Sequence, residues 1–191
     1  MEMELTALTE LDAVNNIIGT IGESPIDTLD DLSNVDAINA LRILRDNSRR
    51  EQARGWSFNI IPELTLNPDA TTNRIPWNSN YLSLKGLNDE KLVRKDTFII
   101  DLKTNTREFF APITAEAVIL MPFDELPEAM RNYIIAKACF QFQSRYFGDD
   151  SLSKISQSEI QEAWQYLQEY ELDNNDYCLL DNEHIQELLS R

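Results

Sequence analysis

The chain has 191 residues, of which 42% are hydrophobic and only five are glycine, which is enough to bury one core and leave room for a second lobe. No apolar run approaches the roughly 20 residues that span a bilayer, and the first residues lack the basic and apolar regions of a signal peptide. These features predict a soluble chain without a secretion signal. The formal net charge of -16 argues against tight nucleic-acid binding, which needs Lys and Arg on the phosphates.

The charge is unevenly distributed along the chain. Residues 1–36 contain nine acidic residues and no basic one, whereas residues 37–147 contain fifteen basic and thirteen acidic residues. Residues 148–191 contain two basic and eleven acidic residues. Both ends are therefore strongly acidic, and the centre is nearly balanced.

Apolar residues at helical spacing predict two helices near the N-terminus. The first covers residues 9–21, where Thr9 and Asp12 form an approximate capping box. The second begins after Ser33 and Asn34, both of which can cap a helix, and ends at Gly55, which suits the left-handed position after a helix. Residues 1–55 are accordingly predicted to supply the N-terminal helices of a bundle.

Five arginines are concentrated on the second predicted helix: Arg42, Arg45, Arg49, Arg50 and Arg54. Their spacing of three and four residues gives a basic helix face in an otherwise acidic protein. One interpretation is a solvated face paired with Asp and Glu of the same chain. The other is an interface on which an acidic segment of another subunit docks through Arg–carboxylate pairs.

The periodicity changes abruptly after Gly55. Trp56, Phe58 and Ile60 alternate with more polar residues, which predicts a strand from Trp56 onward and a structural corner at Gly55, Trp56 and Phe58. Short strands are predicted at YLSL, KLVRK, TFIIDL, REFF and AVILM, with turns at NDE and KTN. Residues 56–121 are thus predicted to form a mainly antiparallel, β-rich insertion.

Helical patterns return over residues 122–174, where a central buried helix follows Pro127 and a further helix covers about residues 152–172. The chain is therefore predicted to be an α+β protein, a helical bundle with a β-rich insertion. Residues 175–191 form a short acidic arm with apolar residues at Tyr177, Leu179, Leu180, Ile185 and Leu188. These residues either fold back on their own core or lie on a neighbouring subunit.

The sequence contains few residues or motifs that indicate catalysis or metal binding. The single histidine, His184, is seven residues from the C-terminus, and Cys139 and Cys178 belong to no CxxC or Cys/His group. The nucleotide, esterase and metalloprotease motifs are absent. We therefore predict no enzyme, no catalytic or metal site and no cofactor, although a pair of carboxylates acting as a glycan hydrolase stays open as the alternative.

Four segments, taken in order, resemble the tail tubular protein A family of short-tailed phages, also described as adaptor or gatekeeper proteins. They are ELDAVNNIIGTIGESPIDTL, NVDAINALRILRDNSRREQARGWSFNI, NYLSL and FDELPEAMRNYIIAKACFQFQSRYFGDD. The resemblance covers residues 7–84 and 120–180 and leaves residues 85–119 unaligned.

This resemblance implies a structural virion protein located in the tail, and in the host cytoplasm during assembly. It implies a twelve-fold ring between the portal and the tail nozzle, tail tubular protein B, through which DNA passes without specific binding. It also implies that the C-terminal segment helps to grip the partner ring. A head-completion adaptor of a longer-tailed phage is a second alternative, with the same ring function and a different tail partner.

Overall fold

The computed structural model describes residues 7–30, 34–146 and 150–174. The helices are α1 (Glu10–Gly19), α2 (Val35–Gln52), α3 (Glu128–Tyr146) and α4 (Asp150–Asn174), with one 3-10 turn at Phe123–Glu125. The strands are β1 (Ile60–Leu66), β2 (Tyr81–Gly86), β3 (Leu92–Lys95), β4 (Phe98–Asp101) and β5 (Ile113–Ile119). The predicted α+β class is confirmed.

The chain divides into two compact units, which are described separately. Of the described residues, those up to Leu44 and those from Pro127 to Asn174 form the helical unit, and Arg45–Leu126 form the β-rich unit. The boundaries predicted for the bundle, the insertion and the arm stay a prediction, and the arm itself lies outside the described residues.

The start of α1 shows how local sequence sets a boundary in the helical unit. The backbone N–H of Asp12 donates to Thr9 Oγ1 at 3.1 Å, and the backbone N–H of Thr9 donates to Asp12 Oδ2 at 3.0 Å. These bonds form the predicted capping box, and the bond from the Thr9 hydroxyl lowers the pKa of the Asp12 carboxyl. The helix then buries four apolar residues on one side: Ala13, Val14, Ile17 and Ile18.

The helix α3 forms the centre of the helical unit and packs against both α1 and α4. It buries a row of residues at four-residue spacing, namely Met130, Ile134, Ala138 and Phe142. The Tyr133 ring meets the Trp164 ring of α4 with centroids 5.1 Å apart. Arg131 donates from Nη1 to the carbonyl of Leu8 at 2.7 Å, which ties the segment before α1 to α3.

The β-rich unit contains two antiparallel sheets. One has the strand order β1-β5-β2, and the other pairs β3 with β4. Side chains from both sheets and from the loops share one core, formed by Leu66, Ile75, Leu84, Leu92, Ile99, Phe109, Ala115 and Ala117. The pairing of β1 with β5 is interrupted between Ile61 and Leu64, next to Pro62, which has no N–H to donate to the ladder.

Two predicted strand positions in this unit are wrong. REFF (107–110) is irregular: Phe109 is buried and donates to the carbonyl of Asn73, while Phe110 points into solvent and Pro112 follows without an N–H. The strand predicted from Trp56 begins only at Ile60, because Trp56–Asn59 forms a turn closed by the N–H of Asn59 on the carbonyl of Trp56. The remaining predicted strands and both turns are present, with shifted ends.

Candidate functional site

Four of the five predicted arginines, and the predicted corner, lie in the β-rich unit where α2 ends. Gly55 has φ of +78°, the left-handed conformation predicted for it. Trp56 is buried, and its indole Nε1–H donates to the carbonyl of Glu51 at 2.7 Å. The Phe58 ring stacks nearly parallel to the Trp56 ring, with centroids 6.4 Å apart. The chain therefore turns back on the last turn of α2 before it enters β1.

A buried polar network, which the sequence analysis missed, holds this turn. Asn59 donates from Nδ2 to the carbonyls of Gln52 at 2.9 Å and Ile119 at 3.0 Å, and its Oδ1 accepts from the N–H of Trp56 at 2.8 Å. Gln52 in turn exchanges two hydrogen bonds with the backbone of Met121, at 2.8 and 3.1 Å. The network thus connects the end of α2 to β5 through side-chain amides.

Alanine at Gly55 should destabilise the protein. A left-handed conformation costs an L-residue about 1–2 kcal/mol, and a Cβ placed there would lie 3.3 Å from Ile60 Cδ1. We expect the free energy of unfolding of Gly55→Ala in urea to fall by about that amount. Gly19→Ala is the matched control, because a Cβ there meets nothing within 4 Å and φ is not positive, so its stability should be unchanged or higher. Equal effects of the two substitutions would contradict the assigned role of Gly55.

The arginines differ in their surroundings. Arg54 Nε lies 3.1 Å from Glu51 Oε2, whose side chain is fully buried, and Arg45 also has an interaction within the chain. Arg49 and Arg50 are exposed and form no ion pair with the part of the chain that is described, and the same holds for Arg42 in the helical unit. Pairing with an acid of the same chain, one of the two interpretations of the basic helix face, therefore applies to Arg54. The guanidinium groups of Arg42, Arg49 and Arg50 point into solvent.

The predicted arm residues, Tyr177, Leu179, Leu180, Ile185 and Leu188, lie outside the described residues. Within the described ranges, no three His, Cys, Asp or Glu side chains are grouped so that they could hold a metal ion. Burial raises the pKa of the Cys139 thiol to about 12, so it is protonated and a poor nucleophile at neutral pH. No helix among these residues has both the length and the apolar character needed to cross a membrane.

The end of α2 thus combines a buried amide network with exposed cations, within an α+β fold. A family model described as tail tubular protein matches residues 11–177, so the chain belongs to the tail tubular protein family. Tail tubular protein A of Klebsiella phage KP34 is 28% identical over 145 residues, which are 75% of this chain and 76% of that protein. The resemblance predicted from the sequence is thereby confirmed, and the protein is a structural component of a phage tail.

Proposed function

We propose that the protein assembles as a ring that joins the portal to the tail nozzle and continues the channel through which the genome leaves the head. The observation that carries the proposal is the match of residues 11–177 to the tail tubular protein family. The similarity to a tail tubular protein A from another phage supports it, because it covers about three quarters of both chains.

The distribution of charge supports contacts between copies rather than with DNA. Both terminal segments are acidic, whereas Arg42, Arg49 and Arg50 are exposed cations on a helix. An acidic segment of one copy that contacts the basic helix of the next is a heterologous contact, and repetition of such a contact by rotation closes a ring. The acidic arm, residues 175–191, is one such segment. We further propose that acidic residues line part of the channel, where phosphates meet few attractive charges and DNA passes without specific binding.

Assembly on a template is the proposed mechanism. The portal presents a circular set of sites, so each bound copy is held beside its neighbour at a high effective concentration. Contacts that are too weak to associate free chains then become favourable, and the completed ring presents a surface for the nozzle. The protein acts by binding and not by turnover of a substrate.

The mass of the purified protein, measured by light scattering with and without a matching portal ring, tests this function. We expect a complex with about twelve copies per portal, since a ring of this kind follows the symmetry of its template. A chain that does not bind the portal at any concentration would overturn the proposal. That result would justify a screen for glycan hydrolysis. Loss of such an activity when one carboxylate is replaced would identify an enzyme.

A further inference from the structure

The helical unit leaves an apolar and basic face of α2 exposed. Val35 is 67% exposed and Ile38 is 43% exposed, although both are large hydrophobic residues. Arg42 is exposed and follows them at the spacing that places residues 35, 38 and 42 on one side of a helix. The opposite side of the same helix buries Ala37, Ala40 and Leu44. We call Val35, Ile38 and Arg42 the α2 face.

A second face, on α4, combines apolar residues with acidic ones. Tyr166 is 53% exposed and Leu172 is 60% exposed. Three exposed acids lie on the same side of the helix, Glu162, Glu169 and Asp173. The orientation of α4 is fixed by its other side, where Leu167 is fully buried and Trp164 meets Tyr133. We call Tyr166, Leu172 and the three acids the α4 face.

We propose that the α4 face of one copy packs against the α2 face of the next copy, and that this contact repeats around the ring. The inference rests on the proposed function and names the surfaces that meet. Each face has two large exposed apolar side chains, and the water that they lose on contact favours association. Arg42 on one face meets acids on the other, so the charges are complementary.

The charges also determine which pairing is favourable. Two α4 faces brought together would place six carboxylates in one contact, and two α2 faces would place two guanidinium groups together, so like pairs repel. Only the pairing of an α4 face with an α2 face both brings opposite charges together and covers the exposed apolar residues. When the α4 face of each copy meets the α2 face of the next copy, and not of the same partner in return, the contact is heterologous, as a closed ring requires.

The contact is small for a stable complex. A specific interface buries about 800 Å² on each partner, more than a few side chains on one helix supply. We therefore expect free copies to associate weakly through these faces and the contact to become populated when the portal holds copies side by side.

Cysteine cross-linking tests the pairing. In a Cys178→Ser background, the double variant Val35→Cys/Leu172→Cys is mixed with the portal and treated with a short bismaleimide. Cys139→Ala is added to this background, because Cys139 is only partly buried and would otherwise offer a third thiol. The introduced cysteines are then the only ones in each chain. We expect a ladder of covalent multimers in a denaturing gel. Each single variant can at most form dimers, because a ladder needs two different cysteines in every chain.

A matched control pairs Val35→Cys with Phe110→Cys. Phe110 is 81% exposed and apolar but belongs to the β-rich unit and to neither face, so this pair should give no ladder. A ladder of equal intensity from the control would show that cross-linking is not specific and would overturn the inference. A second panel uses Ile38 and Tyr166 as the cysteine positions, which lie about one turn and about two turns along their helices from the first pair, and so covers a shifted register of the contact.

The same samples separate this inference from the proposed function. A ring on the portal without a ladder from either panel overturns the α2–α4 contact and leaves the adaptor function standing. A ladder in concentrated protein that does not bind the portal supports the contact and overturns the function. Neither a ladder nor a portal complex overturns both.

Discussion

Replacing Asn59 with alanine is expected to lower the free energy of unfolding by about 3 kcal/mol or more. The substitution removes the partners that the amide supplies to the N–H of Trp56 and the carbonyl of Ile119, and it takes one of two donors from the carbonyl of Gln52, which keeps the N–H of Gly55 at 3.1 Å. Each buried backbone group that loses its partner costs about 1–3 kcal/mol, and Asn59 is only 1% exposed, so water does not replace the amide. This is a larger effect than most single substitutions produce.

The measurement is a urea titration followed by tryptophan fluorescence. In a Trp164→Phe background the two remaining tryptophans, Trp56 and Trp77, both belong to the β-rich unit, so the signal follows that unit alone. This matters because a chain with two compact units need not unfold in one step. Asn67→Ala is the control, since Asn67 is an exposed asparagine just after β1, and its stability should change by less than about 0.5 kcal/mol.

A second substitution at the same position separates hydrogen bonding from packing. Asn59→Asp keeps the size of the side chain but replaces the donating amide nitrogen with an acceptor that faces two carbonyl oxygens. We expect a loss of stability at neutral pH at least as large as that of alanine. If Asn59→Asp were as stable as the parent while alanine was not, the cavity and not the network would explain the result.

The network also shows why the sequence predicted some features and missed others. The capping box at Thr9 and Asp12 and the left-handed Gly55 depend on residues within a few positions, so spacing and residue type were sufficient. Asn59 and Gln52 bind backbone groups 60 and 69 residues away in the chain, and no local pattern marks a polar residue for such a contact. The same limit explains REFF, whose two aromatic residues favour a strand but for which the fold provides no neighbouring strand to pair with.

The sequence also predicted only part of the candidate interface. Spacing on a helix identified the five arginines, but only the structure separates Arg54, paired with buried Glu51, from the exposed Arg49 and Arg50. The α2 and α4 faces were not predicted, because isolated exposed apolar residues such as Val35, Ile38, Tyr166 and Leu172 are common on helices and give no local signal of a contact. Their exposure became visible only when the buried sides of both helices were known.

Reversing the charge of Arg49 and Arg50 together is expected to abolish or strongly weaken assembly on the portal while the fold survives. Both side chains are exposed and form no ion pair with the described residues, so Arg49→Glu/Arg50→Glu removes no ion pair seen within the chain. If an acidic segment of a neighbouring copy or of the portal docks on these two arginines, the substitutions replace each attraction between opposite charges with a repulsion between carboxylates. Close charge pairs at interfaces contribute about 1.5 kcal/mol or more, so binding should weaken by at least about tenfold for each pair.

The control for this prediction changes the same amount of charge in the same unit. Lys95→Glu/Arg107→Glu also replaces two exposed basic residues of the β-rich unit, so a general effect of added negative charge would weaken both variants equally. Light scattering with the portal ring measures assembly, and circular dichroism verifies the fold. Loss of the complex in the Arg49/Arg50 variant alone would assign these residues to an assembly contact. Normal assembly of that variant would mean that the two guanidinium groups serve only as a solvated face, as Arg–carboxylate docking requires their charge.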